Sequence, residues 1–284
     1  MRVTFFGVRG SIATSGAQYT AFGGNTTCVE VEHSGSRMVL DAGTGLRALG
    51  QEWLAHARLF DRPIHAVFLF SHLHWDHIQG FPFFAPAFLP DTRLELFGPA
   101  ETDGASTLER VLSQQMQGPT FPVPLEAMPS QKAFHPLGDG ARLEIGPFIV
   151  RARALCHPQG SLGYRIEAAG RAFCFATDTE HRTDGTLDES LLDLAGGADL
   201  LACDAQYTEA EYAGKNGTGP ARRGWGHSTY AAAAQIARAA GAKALLLTHH
   251  DPAHGDDLLE AIEREARALF LATRAAREGM CCEL

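Results

Sequence analysis

The chain has 284 residues, of which 45% are hydrophobic and 20% charged, so it can fill a sizeable core and is no disordered polymer. Its net charge is −9, with only three lysines (Lys132, Lys215, Lys243) among 24 basic residues; Arg222-Arg223, with Lys215 nearby, is the only local basic cluster, which argues against a grip on polynucleotide backbones. No apolar run approaches the roughly 20 residues of a membrane helix, and Met1-Arg2-Val3-Thr4-Phe5-Phe6 enters a strand directly, without a signal-peptide layout. A single α/β domain over 1–284, cytoplasmic, is the expectation. Six scattered cysteines form no C-x-x-C pair and are read as reduced thiols, with Cys281 and Cys282 in a C-terminal tail.

In chain order, Arg2 to Val8 is a first strand, followed by a glycine-bearing loop through Gly24. Cys28–His33 and Arg37–Asp41 form a hairpin across Ser34-Gly35-Ser36. Asp41-Ala42-Gly43-Thr44-Gly45 turns into a helix over about Leu46 to Leu59, and Ile64–Phe70 is a short, buried, apolar strand. The aromatic segment Phe81 to Phe88 reads either as a pocket wall or as core packing. Arg93–Phe97 is a strand and Ala105 to Met116 a helix; Gly118 to Pro129, with four prolines, is irregular or an edge strand.

The second half again alternates strands and helices. Arg142–Ile145 pairs with Phe148–Leu155, and Leu162–Ala168 with Arg171–Ala176. A helix lies near Leu187–Leu194, a buried strand at Asp199–Cys203 and a short helix at Tyr207 to Tyr212. Ser228 or Thr229 caps a helix running to Ala240, Ala242–Leu247 is the last strand, and Gly255 to about Arg277 is an amphipathic closing helix. Strands in both halves with helices to cover them suit two packed sheets between outer helices.

The chemistry concentrates in Ser71-His72-Leu73-His74-Trp75-Asp76-His77, where the strand ending at Phe70 gives way to a loop. In extended backbone His72 and His74 point to one side, and a tight turn aims Asp76 and His77 at the same space. Imidazoles with a carboxylate suit zinc, and also manganese or iron. His157, Asp178 and His249 likewise follow expected strands.

His72-x-His74-x-Asp76-His77 resembles the metal signature of the metallo-β-lactamase superfamily. Val8-Arg9-Gly10-Ser11, Gly23-Gly24-Asn25-Thr26-Thr27-Cys28, Leu40-Asp41-Ala42-Gly43-Thr44-Gly45, Ala176-Thr177-Asp178-Thr179 and Gly226-His227-Ser228-Thr229 extend the resemblance to its phosphodiesterase branch, which holds tRNase Z and cyclic-phosphodiester hydrolases. Phe121-Pro122-Val123-Pro124 also matches a segment that recurs in the cyclic-phosphodiester hydrolases. The resemblance implies a four-layer αβ/βα sandwich and two divalent metal ions, zinc foremost. His72, His74 and His157 would hold one metal; Asp76, His77 and His249 the second; and Asp178 would bridge them. Such a pair shares a hydroxide and clamps an in-line displacement. For the last histidine, the tRNase Z pattern Leu-Thr-His favours His249 over His250, leaving His250 and Asp251 to support it or touch substrate.

By the same resemblance Asp76 is catalytic as well as a ligand, and His227 reaches the scissile phosphate and protonates the leaving oxygen. An imidazole with an ordinary pKa of about 6.5 can do so. Asn25, Ser228 and His250 fall at the substrate. Flavodiiron relatives carry a carboxylate at position 74, so His74 points to hydrolysis rather than redox chemistry. The expected function is hydrolysis of small phosphodiesters such as cyclic nucleotides or cyclic sugar phosphates. The rivals are a tRNase Z-like endoribonuclease, a thioester or lactone hydrolase, and a non-catalytic binding module. The expected partner is the small substrate; nucleic acid and membrane are not expected, and a homodimer is compatible.

Overall fold

Two seven-stranded sheets organise the chain. The computed structural model describes residues 1–60, 63–100, 107–182, 184 and 186–284. The first sheet takes β1 (Arg2–Gly7), β2 (Cys28–His33), β3 (Ser36–Leu40), β4 (His65–Leu69), β5 (Arg93–Pro99) and β6 (Gln131–Leu137). The second takes β7 (Arg142–Ile145), β8 (Phe148–Leu155), β9 (Ser161–Ala168), β10 (Arg171–Ala176), β11 (Leu200–Asp204), β12 (Leu245–Thr248) and β13 (Thr273–Ala275). The last strand, β14 (Cys281–Glu283), returns to the first sheet. The spatial orders are β14-β1-β2-β3-β4-β5-β6 and β13-β12-β11-β10-β9-β8-β7.

Strand alternation divides the apolar residues between faces. Phe173 and Phe175 of β10 point between the sheets, where they share a core with Phe5, Val31, Leu69 and Tyr164. Cys174 and Ala176 point the other way, towards α4 (Glu189–Ala195), α6 (Tyr230–Ala239) and α7 (Asp256–Leu269). On the far side of the first sheet Phe68, Phe70, Leu94 and Leu96 pack against α1 (Leu46–Phe60) and α3 (Thr107–Gln115). The result is the four-layer sandwich. Strands covered on both faces read as unbroken apolar runs, which is why β4 and β11 were plain in the sequence. The aromatic segment 81–88 splits between its two readings. Phe81 and Phe84 are fully buried around Phe68, with Phe84 edge-on at 5.3 Å, while Phe83 and Phe88 are exposed. Burying each such ring stabilises the sheet that carries the histidine loop by about 1.5–3 kcal/mol.

Several expectations are corrected. The closing helix stops at Leu269, not near Arg277, although Ala and Arg favour helix. Its buried stripe Leu259, Ile262 and Ala266 ends there, the Thr273 hydroxyl closes the turn onto the Phe270 carbonyl (2.6 Å), and β13 pairs with β12 instead. Strand pairing outweighs a propensity worth tenths of a kcal/mol per residue. The strand at 245–248 is therefore not the last, and Cys281-Cys282 is no tail: β14 lies antiparallel to β1. Leu125–Ala127 is a 3₁₀ turn, and the first sheet's edge strand is β6, just beyond the proline-rich segment; Pro136 is tolerated there because an edge strand has one unpaired side. The expected helix start at Ala105 lies outside the described residues. Thr229, not Ser228, caps α6, its hydroxyl accepting the Ala232 N–H. The short helix expected from Tyr207 is α5 (Glu209–Ala213), opened by a reciprocal Thr208–Glu211 capping box.

Candidate metal centre

Every residue of the site leaves the carboxyl end of a strand, or the turn just after one, on one edge of the sandwich. β4 delivers His72 and His74, and the four-residue helix α2 (Trp75–Ile78) turns Asp76 and His77 back inward. β8 leads to His157, β10 to Asp178 and β12 to His249. Ligand sites of α/β folds gather at such strand ends. The backbone is contorted there: Ser11, Asp41, Asp178 and His249 all have φ between 53° and 64°, a region costly for side chains other than glycine. Ser11 is held there by its N–H, which donates to the Asp76 carboxylate at 2.7 Å.

The seven expected ligands converge. His72, His74 and His157 offer nitrogens to one point, and a carboxylate oxygen of Asp76 converges with nitrogens of His77 and His249 on another. Each ring has one nitrogen tied outward. His77 Nδ1 donates to Asp41 (2.8 Å), His157 Nδ1 to the Gly226 carbonyl (2.8 Å), and His249 Nδ1 to Gln206 (2.9 Å). His72 Nδ1 meets the Ser71 hydroxyl at 3.1 Å, and His74 turns its Nε2 to Gln159 at 3.0 Å. The opposite nitrogens then face inward: His77 and His249 Nε2 lie 3.2 Å apart, and His157 Nε2 lies 3.1 Å from His74 Nδ1. His72 Nε2 is buried with no hydrogen-bond partner at all. Nitrogens this close in a buried site need a proton or a metal cation between them. The residues therefore fit a metal, and their outer bonds are of the kind that orients ligating imidazoles.

Asp178 stands between the two groups. Its Oδ2 is 3.2 Å from His77 Nε2 and 3.3 Å from His249 Nε2, while Oδ1 is 3.6 Å from His72 and 3.7 Å from His157. Burial would raise its pKa, but the imidazoles of His249, His77 and His72 hold it well below the carboxylate range. Asp76 is likewise depressed, with burial outweighed by His77 and His249. His77 is pushed up, because Asp178, Asp76 and Asp41 outweigh its burial. His72 and His157 are pushed down by burial. Ionised Asp76 and Asp178 thus face the converging imidazoles, a donor set that suits a cation.

His227 comes to the open side of this cluster, stacked on His249 at 4.8 Å. Its Nδ1 bonds Asp204 at 2.8 Å, which leaves Nε2 for a substrate. Burial lowers its pKa, but Asp204 dominates and lifts it to about 9, so the ring holds a proton at neutral pH. Neither Asp204 nor Gln206 was singled out in the sequence. A signal existed: Asp204 ends a wholly buried strand, and a carboxylate there needs a partner. Glu180 was missed too. It accepts from Tyr212 Oη (2.6 Å) and from the backbone N–H groups of Gly224 (2.8 Å) and Gly226 (2.9 Å), clamping the loop that supports His157 and carries His227. Gly226 admits no Cβ, which would lie 2.3 Å from the His157 ring.

Two of the three expected substrate contacts are placed otherwise. The Ser228 hydroxyl is buried and donates to the Thr179 carbonyl at 2.6 Å. His250 is buried with Nε2 on the Ala276 carbonyl (2.9 Å), and burial drives its pKa down to about 3. Both act as struts. Asn25 gives its amide and its backbone N–H to Glu278, and lines a cleft beside α2.

The model of the β-lactamase superfamily domain matches residues 36–250, from the hairpin to the last histidine pair. The chain belongs to the metallo-β-lactamase superfamily. Ribonuclease BN of Cronobacter sakazakii is 26% identical over 98% of both chains. Among solved structures, the metallo-β-lactamase fold protein YhfI of Bacillus subtilis superposes with a TM-score of 0.71 at 20% identity, covering 100% of this chain and 98% of that one. Human tRNase Z, short form, gives 0.66 at 20% identity, covering 100% and 99%. Like its superfamily relatives, the chain is a metal-dependent hydrolase. Among the described residues no helix is long and apolar enough to cross a membrane.

Proposed function

We propose that the protein is a dinuclear phosphodiesterase acting on small, cyclic phosphodiesters in the cytoplasm, where its buried thiols Cys28, Cys174 and Cys203 stay reduced. The supporting observation is the division of Asp178, one oxygen facing His72 and His157 and the other His77 and His249. That arrangement suits two ions, one held by His72, His74 and His157 and one by Asp76, His77 and His249, with zinc favoured by the imidazole-rich set and manganese or iron as the other candidates. Metals bound there would polarise phosphoryl oxygens and activate water.

The chain's own residues do the rest. Asp41, Gln206 and the Gly226 carbonyl fix the ligand rings, so the phosphorus meets a preorganised site. Asp204 holds His227 by Nδ1 and keeps it protonated, and Nε2 gives that proton to the departing oxygen. A small substrate is favoured by the net charge of −9. Metal content, measured together with turnover of cyclic nucleotides and cyclic sugar phosphates, tests the reading. Close to two metal equivalents with activity supports it; one equivalent, or none, sinks the dinuclear site.

A tRNase Z-like endoribonuclease is the second reading, favoured by the full-length similarity to a protein named ribonuclease BN. Tight, steeply salt-dependent binding of precursor tRNA, followed by its cleavage, would replace the small substrate with RNA.

A further inference from the structure

The outward face of α2 opens on a cleft of about 740 Å³, within the roughly 300–1,000 Å³ typical of small-molecule sites. Trp75 stands on the ridge between this cleft and the metal centre: its chain neighbours His74 and Asp76 face the ligand cluster, while its indole lines the cleft and is 62% exposed. Opposite, Phe83 is 57% exposed and meets Phe121 edge-on at 5.7 Å. Three aromatic rings beside a catalytic edge are costly to leave in water unless a flat partner covers them.

The polar lining narrows the choice of partner. One amide N–H each of Asn25, Gln79 and Gln115, and the Thr120 hydroxyl, bond Glu278, Thr26, Ile78 and Gln117, which leaves a second N–H on each amide. Arg47 adds a guanidinium, and the amide and hydroxyl oxygens remain as acceptors around the rings. A lipid or acyl chain would desolvate those acceptors without pairing them, at a cost of about 1–3 kcal/mol each. A flat heterocycle with donors and acceptors on its edge stacks on the rings and pairs with both kinds of group.

We propose that Trp75, Phe83 and Phe121 form a stacking site for the base of a nucleotide, setting the specificity of the metal centre beside it. The proposal rests on the phosphodiesterase reading, which supplies the reacting group. Base-on-aromatic stacking contributes about 1–3 kcal/mol per base, or roughly 5–150-fold in affinity.

The test compares AMP with ribose 5-phosphate on the zinc-loaded full chain by calorimetry, and a nucleoside cyclic phosphate with a ribose cyclic phosphate by kcat/KM. Wild type should favour each nucleotide at least about 10-fold. Trp75→Ala and Phe121→Ser should cut that preference to near unity, and Trp75→Phe, which keeps an aromatic face, should restore most of it. Equal binding of AMP and ribose 5-phosphate by wild type overturns the proposal, as does a Trp75→Ala loss that is the same for both ligands. A sedimentation shift in Phe83→Ser with unaltered nucleotide preference would make the cleft a contact between copies of the chain and also overturn it. A Trp75-dependent AMP preference without turnover of any phosphodiester upholds the stacking site and removes the phosphodiesterase reading. Repeating the assay with a short single-stranded RNA separates a free nucleotide from a chain end as the source of the base.

Discussion

Asp41 and Asp204 are the same device built twice. Each is a buried acid at the carboxyl end of a parallel strand, one per sheet, and each bonds an imidazole Nδ1 at 2.8 Å, His77 in the first case and His227 in the second. Each also accepts a backbone N–H from the serine at the start or edge of the motif it supports, Ser71 and Ser228. The difference lies beyond the ring. His77 Nε2 points into Asp76, Asp178 and His249, whereas His227 stands at the margin with Nε2 unengaged. On the proposed reading, one carboxylate–imidazole pair would make a ligand where acids converge and the other a proton donor where space is left for substrate. Role follows from what the second nitrogen meets.

The comparison breaks most completely at Asp178, which touches both pairs. Asp178→Ala should abolish activity and release both metals, read by elemental analysis; a variant that keeps two equivalents removes Asp178 from the bridge. His227→Ala comes next, with turnover of a poor leaving group falling about 10²–10⁴-fold and metal content kept. With a p-nitrophenolate leaving group, which needs little protonation, the fall should be far smaller. Equal losses on both substrates would recast His227 as a phosphate-binding group.

Exchanging the two acids sharpens the contrast. Asp41→Asn should weaken metal binding by about 10–100-fold, because it loosens a ligand. Asp204→Asn should leave metal affinity nearly untouched and lower turnover by a similar factor. Metal loss in Asp204→Asn would mean that the two pairs are not distinct in role.

How far this was legible from sequence differs between the sheets for a physical reason. The first sheet concentrates its ligands on one turn, so His72, His74, Asp76 and His77 fall within six residues and announce themselves by spacing. The second draws His157, Asp178 and His249 from separate strand ends, and only the resemblance to known families joined them. Asp204, Gln206 and Glu180 escaped because outer partners carry no spacing of their own; only the fold shows what they face. Ser228 was misplaced because period two turns it away from His227, its neighbour. The end of α7 was misread because helix propensity is local while the β12–β13 pairing is not.

The smallest effect concerns the second half's scaffold. Burial opposes charge on Glu211, but hydrogen bonds from His254 and Thr208 prevail and bring its pKa down to about 2. A folded-state pKa below the unfolded value of 4.5 means stabilisation that is full above pH 4.5 and lost as pH falls towards 2. Glu211→Gln should therefore be less stable than wild type by about 1–2 kcal/mol at pH 7, after allowing for solvent screening. In denaturant titrations that gap should close as the pH falls to 2.

The left-handed backbone at Ser11, Asp41, Asp178 and His249 has a thermal consequence. Four such residues cost on the order of 1–3 kcal/mol each, and all four sit on the rim of one cation site. The folded chain is held under tension where it is also crowded with imidazoles and carboxylates, and a bound ion relieves the crowding. An ion at 100 times its Kd adds about 2.7 kcal/mol to the folded state. Melting should therefore move upward by several degrees with added metal and downward with a chelator, making the ion a structural member of the sandwich as well as a reagent.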